Sequence, residues 1–340
     1  MNGPRRKLLA GALAWAAGCG RRQSNETPAA MESAVAPSSH EARAVVLASS
    51  DAGASGAESP PTREGNPFTA RELVFATSPV GPEKAVAIVP SWGAKDERFP
   101  VVVALHGRGE AVRGVDVGAH GWLHDYDLGH AIVRLRSPPL TRDDFRGFVD
   151  DERLARINAS LADRPFRGVV VACPWVPDLF TDKDRTNLDA ALPYGRFVID
   201  QLLPRVVEET PALSDRASTG IDGVSLGGRV ALVVGLAHAA RFGALGTLQA
   251  AIQESEPALL ASRAKRAVGD AGSLRLRLVT SDRDYFRGAI GQLHGALAAE
   301  RIEHEHLVIP GPHDYAFNRG PGGLEMLLWH DRVLRGEPAV

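Results

Sequence analysis

The segment Gly223-Val224-Ser225-Leu226-Gly227 sets a lone serine between glycines, after a short apolar run and before a long one. With G-x-S-x-G spacing between a strand and a helix, the serine sits on a sharp turn whose glycines omit the Cβ atoms that would otherwise collide. Such a turn permits a strained backbone at Ser225, lifts its hydroxyl clear, and aims the Leu226 N–H where a tetrahedral oxyanion would form. A serine nucleophile is inert without a base. His313 meets that need, in a Gly-Pro loop just past the last strand candidate, HEHLVIP. The acid that orients such a base is offered by the segment Ser281-Asp282-Arg283-Asp284, as Asp282 or Asp284. A second oxyanion donor is expected from His106-Gly107-Arg108-Gly109, through the backbone N–H of Gly107 or Arg108. Gly107 and Gly109 also fit the first two positions of a dinucleotide fingerprint, but Val112 occupies the third, so that reading is set aside.

These residues need a scaffold of alternating strands and helices. Strands are expected at 71–77, 84–90, 100–107, 130–135, 168–173, 217–223, 242–249, 274–280 and 304–310, the first two as a hairpin turning at SPVGPE. Helical spacing marks 194–209, 227–240, 286–300 and 323–334. Continuous apolar runs such as VVVAL and GVVVAC suit strands covered on both faces. The order predicts an α/β fold: a mostly parallel central sheet with an antiparallel opening hairpin and helices on both faces. No internal repeat is present.

From about residue 71 to 335 the chain resembles the α/β-hydrolases of the putative-esterase group that includes esterase D and the enterochelin esterases. The resemblance rests on YGRFVIDQLLPRV, GIDGVSLGGRVAL, RFGALGTLQAAI and GPHDYAF, in that order. It implies hydrolysis of a carboxylic ester by an acyl-enzyme route, with no metal or organic cofactor. Carried over by position, Ser225 is the nucleophile, Asp284 the acid and His313 the base, in the chain order Ser, acid, His. Asp284 is preferred to Asp282 because S-D-R-D resembles the G-x-x-D of such loops. Where relatives often have a serine-glycine pair, this chain has Leu248-Gln249-Ala250, so Gln249 is expected to narrow or polarise the pocket.

The region 137–193 is longer than a bare crossover needs, and is read as one strand between two irregular polar segments that form the pocket. Trp175, at the carboxyl edge of the sheet, is a candidate for its wall, and Arg108 for pairing with an anionic substrate group. His304 and His306 alternate along one strand with His313 beyond, and His120 and His124 lie near Asp125. Without cysteine partners or a ligand motif, no metal site is expected. Cys173, in GVVVACPW, reads as a small buried hydrophobe rather than a nucleophile.

Composition bounds the rest. A formal net charge of -2 gives no reason to expect nucleic acid, and 44% hydrophobic residues in 340 suffice for one large core. Residues 1–19 have the layout of a bacterial export signal: Arg5, Arg6 and Lys7, a short apolar run, then Ala16-Ala17-Gly18-Cys19. That tail resembles a lipoprotein processing site at Cys19, and Arg5-Arg6 somewhat resembles a twin-arginine signal. Residues 20–66, rich in Ala, Ser, Pro and Glu, read as a disordered tether ahead of a single domain over 67–340. The expectation is an exported, membrane-anchored serine esterase acting on a small-molecule ester. An acyltransferase using the same three residues, or a silent surface-binding lipoprotein, are the alternatives.

Overall fold

A computed structural model describes residues 66–181 and 185–340. The leader over 1–19, the lipidation site at Cys19 and the tether up to residue 65 lie outside the described residues.

Among the described residues the chain forms eight strands in one sheet: β1 Phe68–Phe75, β2 Glu83–Pro90, β3 Val101–Leu105, β4 Val170–Pro174, β5 Thr219–Gly223, β6 Ala244–Leu248, β7 Arg275–Arg283 and β8 Glu305–Pro312. Their spatial order is β1-β2-β4-β3-β5-β6-β7-β8. β1 with β2 and β2 with β4 are antiparallel, and all other pairs are parallel. Two apolar clusters cover the two faces, and the strands feed both by alternation. Val101, Val103 and Leu105 of β3 enter one cluster and Val102 and Ala104 the other. An unbroken apolar run is what burial on both faces requires. Cys173 packs in the second cluster, where burial pushes its thiol pKa up and holds it protonated.

The helices are α1 Arg108–Ala111, α2 Val115–Gly118, α3 Leu128–Arg136, α4 Asp151–Asp163, α5 Leu192–Phe197, α6 Leu203–Glu209, α7 Leu226–Ala237, α8 Pro257–Ala271, α9 Arg287–Ala299, α10 Tyr315–Phe317 and α11 Gly323–Val333. Three expectations are corrected here. The strand expected at 130–135 lies within α3, because Leu128, Ala131, Ile132 and Leu135 are buried at the i, i+3, i+4, i+7 spacing of one helix face. The first of those residues lies outside the six of the expected strand. The supposedly irregular segment after residue 137 contains α4, whose N-cap Asp150 accepts the Arg153 N–H at 2.7 Å. Ile157 and Leu161 of α4 are buried against the second core, so this half of 137–193 is scaffold and not pocket wall. The helix expected over 194–209 also divides. Pro204 removes a backbone donor, and a π-helical turn, Val198–Leu202, joins α5 to α6.

Glu83, at the start of β2, is 1% exposed and neither carboxyl oxygen has a partner. Burial pushes its pKa up to about 9, so at neutral pH the folded chain holds a proton that the unfolded chain has released. Stability from this group is full below its unfolded pKa of 4.5 and is lost as pH rises toward about 9. Glu83→Gln is therefore expected to stabilise the protein at pH 8 and to do little at pH 4. Between those limits, the wild-type loss relative to the variant approaches about 1.4 kcal/mol per pH unit in urea titrations.

Candidate active site

The parallel order of the sheet brings the carboxyl ends of β3, β5, β7 and β8 to one edge, where the chemistry-bearing residues converge. Ser225 lies two residues past the end of β5 and has φ 54° and ψ −115°, a conformation that ordinary side chains rarely adopt. The turn is held on both sides. Ser225 N–H donates to the Leu248 carbonyl at 2.9 Å, and the Ser225 carbonyl accepts the Ala251 N–H at 2.9 Å. A Cβ on Gly227 would fall on the backbone of Leu105, and one on Gly223 would fall on the Gly227 carbonyl. Both positions therefore require glycine for strand and helix to approach this closely.

His313 Nε2 lies 3.0 Å from Ser225 Oγ, and His313 Nδ1 lies 2.7 Å from Asp284 Oδ1. A carboxylate only accepts, so Nδ1 carries the ring proton and Nε2 is free to accept the serine proton. Asp284, whose side chain is fully buried, also accepts the Phe286 N–H at 3.0 Å and the Thr280 hydroxyl at 2.6 Å. Asp282 is placed differently. Its Oδ1 accepts the Gly311 N–H at 2.8 Å, tying β7 to β8.

Two backbone donors flank Ser225. Leu226 and Arg108 are the first residues of α7 and α1, and helix geometry leaves the N–H at that position without an intrahelical acceptor. The Gly107 N–H, by contrast, donates to Tyr126 Oη at 2.9 Å. Of the two loop donors expected, Gly107 is thus occupied and Arg108 is the open one. His106 pins this loop from below. Its Nδ1–H donates to the Gly107 carbonyl at 2.9 Å while Nε2 accepts the Val176 N–H at 2.8 Å, and burial lowers its pKa to about 4.

A cleft of about 350 Å3 opens above Ser225, its walls including Arg108, Asp178, Phe180, Arg185, Arg229 and Phe286. Arg108 Nε meets Asp178 at 2.8 Å, so the charge expected to face a substrate anion is already paired. Trp175 and Gln249 are corrected as wall residues. Trp175 Nε1 donates to the Ala111 carbonyl at 3.3 Å, behind the cleft, where its indole fills the space beside Gly118. Gln249 is fully buried and donates to Ser281 Oγ at 2.6 Å and the Pro312 carbonyl at 2.8 Å, bracing the loop that carries His313. Phe180 and Arg229, which sequence reasoning missed, stack at 3.8 Å, and Arg229 also pairs with Glu256. A lone charge inside the apolar run GGRVALVVG was the available signal for Arg229.

A larger groove of about 510 Å3 lies at the start of β7 and β8 and is lined by Lys265, Arg275, Glu300 and Arg301, among others. It sits at the amino ends of the strands, away from Ser225, and open α/β sheets bind ligands at the carboxyl ends. His294, His304 and His306 cluster nearby. His294 Nδ1 and His304 Nε2 are 2.8 Å apart, and the His294 and His306 rings stack at 4.5 Å. Stacked rings cannot aim their in-plane lone pairs at one point. His120 and His124 also stack, at 5.2 Å, and among the described residues no group of three or more His, Cys, Asp or Glu could hold a metal ion.

Residues 174–285 match the family of putative esterases. The matched segment is about a third of the chain and holds the elbow strand and helix, β5 and α7, together with β6 and β7. The match spans Ser225 and Asp284 and stops short of His313. Among solved structures, a ferulic acid esterase is 13% identical with a TM-score of 0.57, over 79% of this chain and 100% of that one. The S-formylglutathione hydrolase of Staphylococcus aureus is 14% identical with a TM-score of 0.54, over 79% of this chain and 98% of that one. A fluorophosphonate-binding serine hydrolase of Staphylococcus aureus is 13% identical with a TM-score of 0.56, over 78% and 99%. At such identities these likenesses concern the esterase fold alone. No curated protein matches the chain.

Proposed function

We propose that this ester hydrolase works through a covalent acyl-enzyme on Ser225, with His313 as general base and Asp284 as its orienting acid. The observation that carries the reading is the unbroken relay from Ser225 Oγ through both nitrogens of His313 to the buried Asp284. As Ser225 Oγ bonds to the ester carbonyl carbon, its proton passes to His313 Nε2, and Asp284 stabilises the imidazolium. The carbonyl oxygen becomes an oxyanion, which the N–H groups of Leu226 and Arg108 meet. Collapse breaks the ester C–O bond, the alcohol leaves with the proton from His313, and water repeats the sequence to release the acid.

The cleft supports a small ester with one flat apolar face, since Phe180 and Phe286 flank Ser225. The export signal and lipidation site read at 1–19 would place this activity at the cell envelope, tethered by Cys19. Incubating the chain with a fluorescent fluorophosphonate should label it in one-to-one stoichiometry. Mass mapping should place the adduct on the peptide containing Ser225. A folded protein that stays unlabelled would sink the acyl-enzyme mechanism.

A further inference from the structure

Glu110 has no part in the chemistry proposed above, yet it is only 1% exposed and three separate segments donate to its carboxylate. Tyr126 Oη donates to Oε2, Tyr315 Oη donates to Oε1 at 2.8 Å, and Arg113 Nη2 lies 3.3 Å from Oε1. Tyr126 Oη in turn accepts the Gly107 N–H at 2.9 Å. One hydrogen-bond relay therefore runs from the His106–Gly107 peptide, one peptide before the Arg108 N–H, through Tyr126 and Glu110, to Tyr315, two residues beyond His313.

The surrounding glycines are shaped to this relay. A Cβ on Gly121 would lie 2.5 Å from Glu110 Cγ, one on Gly109 would lie 2.5 Å from Tyr315 Oη, and one on Gly107 would lie 3.0 Å from Tyr126 Oη. An apolar side chain would fill such a space without the desolvation that a buried carboxylate suffers. Two phenol protons, however, need two acceptor oxygens, and a carboxylate supplies both. With its proton directed at Glu110, Tyr126 offers Gly107 a lone pair. Glu110 also acts on the phenol it accepts from: burial, then Glu110, raise the Tyr315 pKa to about 12.

We infer that Glu110 is a positioning residue, which fixes the loop bearing the Arg108 N–H and the loop bearing His313 at a set spacing around Ser225. The inference rests on the proposed acyl-enzyme mechanism. A glutamine at this position keeps the shape but has one acceptor oxygen, so one tyrosine must turn its proton away. If Tyr126 turns, its proton points at the Gly107 N–H and pushes the oxyanion loop out of place.

The test measures kcat and KM for a short-chain aryl ester, and inhibition by phenylboronic acid, whose serine adduct mimics the tetrahedral intermediate. It uses the full chain, wild type and Glu110→Gln, Tyr126→Phe and Tyr315→Phe. Glu110→Gln should lower kcat by about 10^2-fold, the scale of a misplaced catalytic group. KM should stay within about twofold, and boronate affinity should fall in proportion to kcat/KM. Should Glu110→Gln not fold, Tyr315→Phe, whose tyrosine is 41% exposed, carries the same test through the His313 loop. Folded variants with lowered melting points but wild-type kcat and boronate affinity would show a merely structural role and overturn the inference. A wild type that neither hydrolyses the ester nor reacts with a fluorophosphonate would remove the proposed mechanism, and this inference with it.

Discussion

Replacing Ser225 with alanine is expected to lower kcat for ester hydrolysis by about 10^6-fold while leaving the circular dichroism spectrum and melting point close to wild type. His313→Ala should cost about as much, and the double variant little more, because a nucleophile and its base act as one unit. The structure gives a reason to expect this coupling. His313 Nε2 is 3.0 Å from Ser225 Oγ, so removing either partner leaves the other with no proton to give or take. Asp284→Asn should lower kcat by about 10^4-fold, since an amide facing Nδ1 favours the wrong tautomer of His313. Asp282→Asn should leave kcat near wild type, because Asp282 meets the Gly311 backbone and not His313. Equal losses at Asp282 and Asp284, or a Ser225→Ala variant with wild-type turnover, would contradict the proposed roles.

The elbow was legible in the sequence because both of its steric constraints leave the same mark, a glycine two residues to either side of Ser225. Gly223 is constrained locally, by the Gly227 carbonyl, whereas Gly227 is constrained by the Leu105 backbone of the neighbouring strand, a contact that the spacing records without revealing its partner. The strands were legible too, because a strand covered on both faces needs an unbroken apolar run. The strand expected at 130–135 was misplaced because HAIVRL is short. In α3 the buried face begins at Leu128, and six residues are too few to separate a period of 3.6 from a period of two. Choosing between Gly107 and Arg108 needed Tyr126, nineteen residues from Gly107, whose hydroxyl takes one of the two donors. Trp175 and Gln249 were misread because sequence shows nearness to the sheet edge but not which way a side chain turns. Glu110 could be read only as a charge in a short loop, since its partners Tyr126 and Tyr315 are 16 and 205 residues away.

Removing the carboxylate of Glu325 is expected to destabilise the protein by about 3–5 kcal/mol at neutral pH, the cost of leaving a buried charge without its partner. Glu325 lies on α11 at 2% exposure, between Arg153 of α4, at 6%, and Arg277 of β7, at 2%. Arg153 Nε donates to Oε1 at 2.9 Å, and Arg277 Nη1 lies 3.3 Å from Oε2. In Glu325→Gln both guanidiniums stay buried and charged with no anion between them. Burial alone would raise the Glu325 pKa, but Arg153 and then Arg277 pull it below the usual carboxylate range. The stabilisation is therefore full above the unfolded pKa of 4.5 and is lost as pH falls through the depressed folded value. Guanidinium chloride midpoints for wild type and Glu325→Gln should differ most at pH 6–8 and converge in acid. Replacing all three residues with Met or Leu should recover most of the loss, because no buried charge then remains. β7 ends one residue before Asp284, so the network also anchors the strand that presents the acid to His313. If Glu325→Gln melts with wild type, or the triple variant is no better than the single one, the buried ion pairs are not what holds α4, β7 and α11 together.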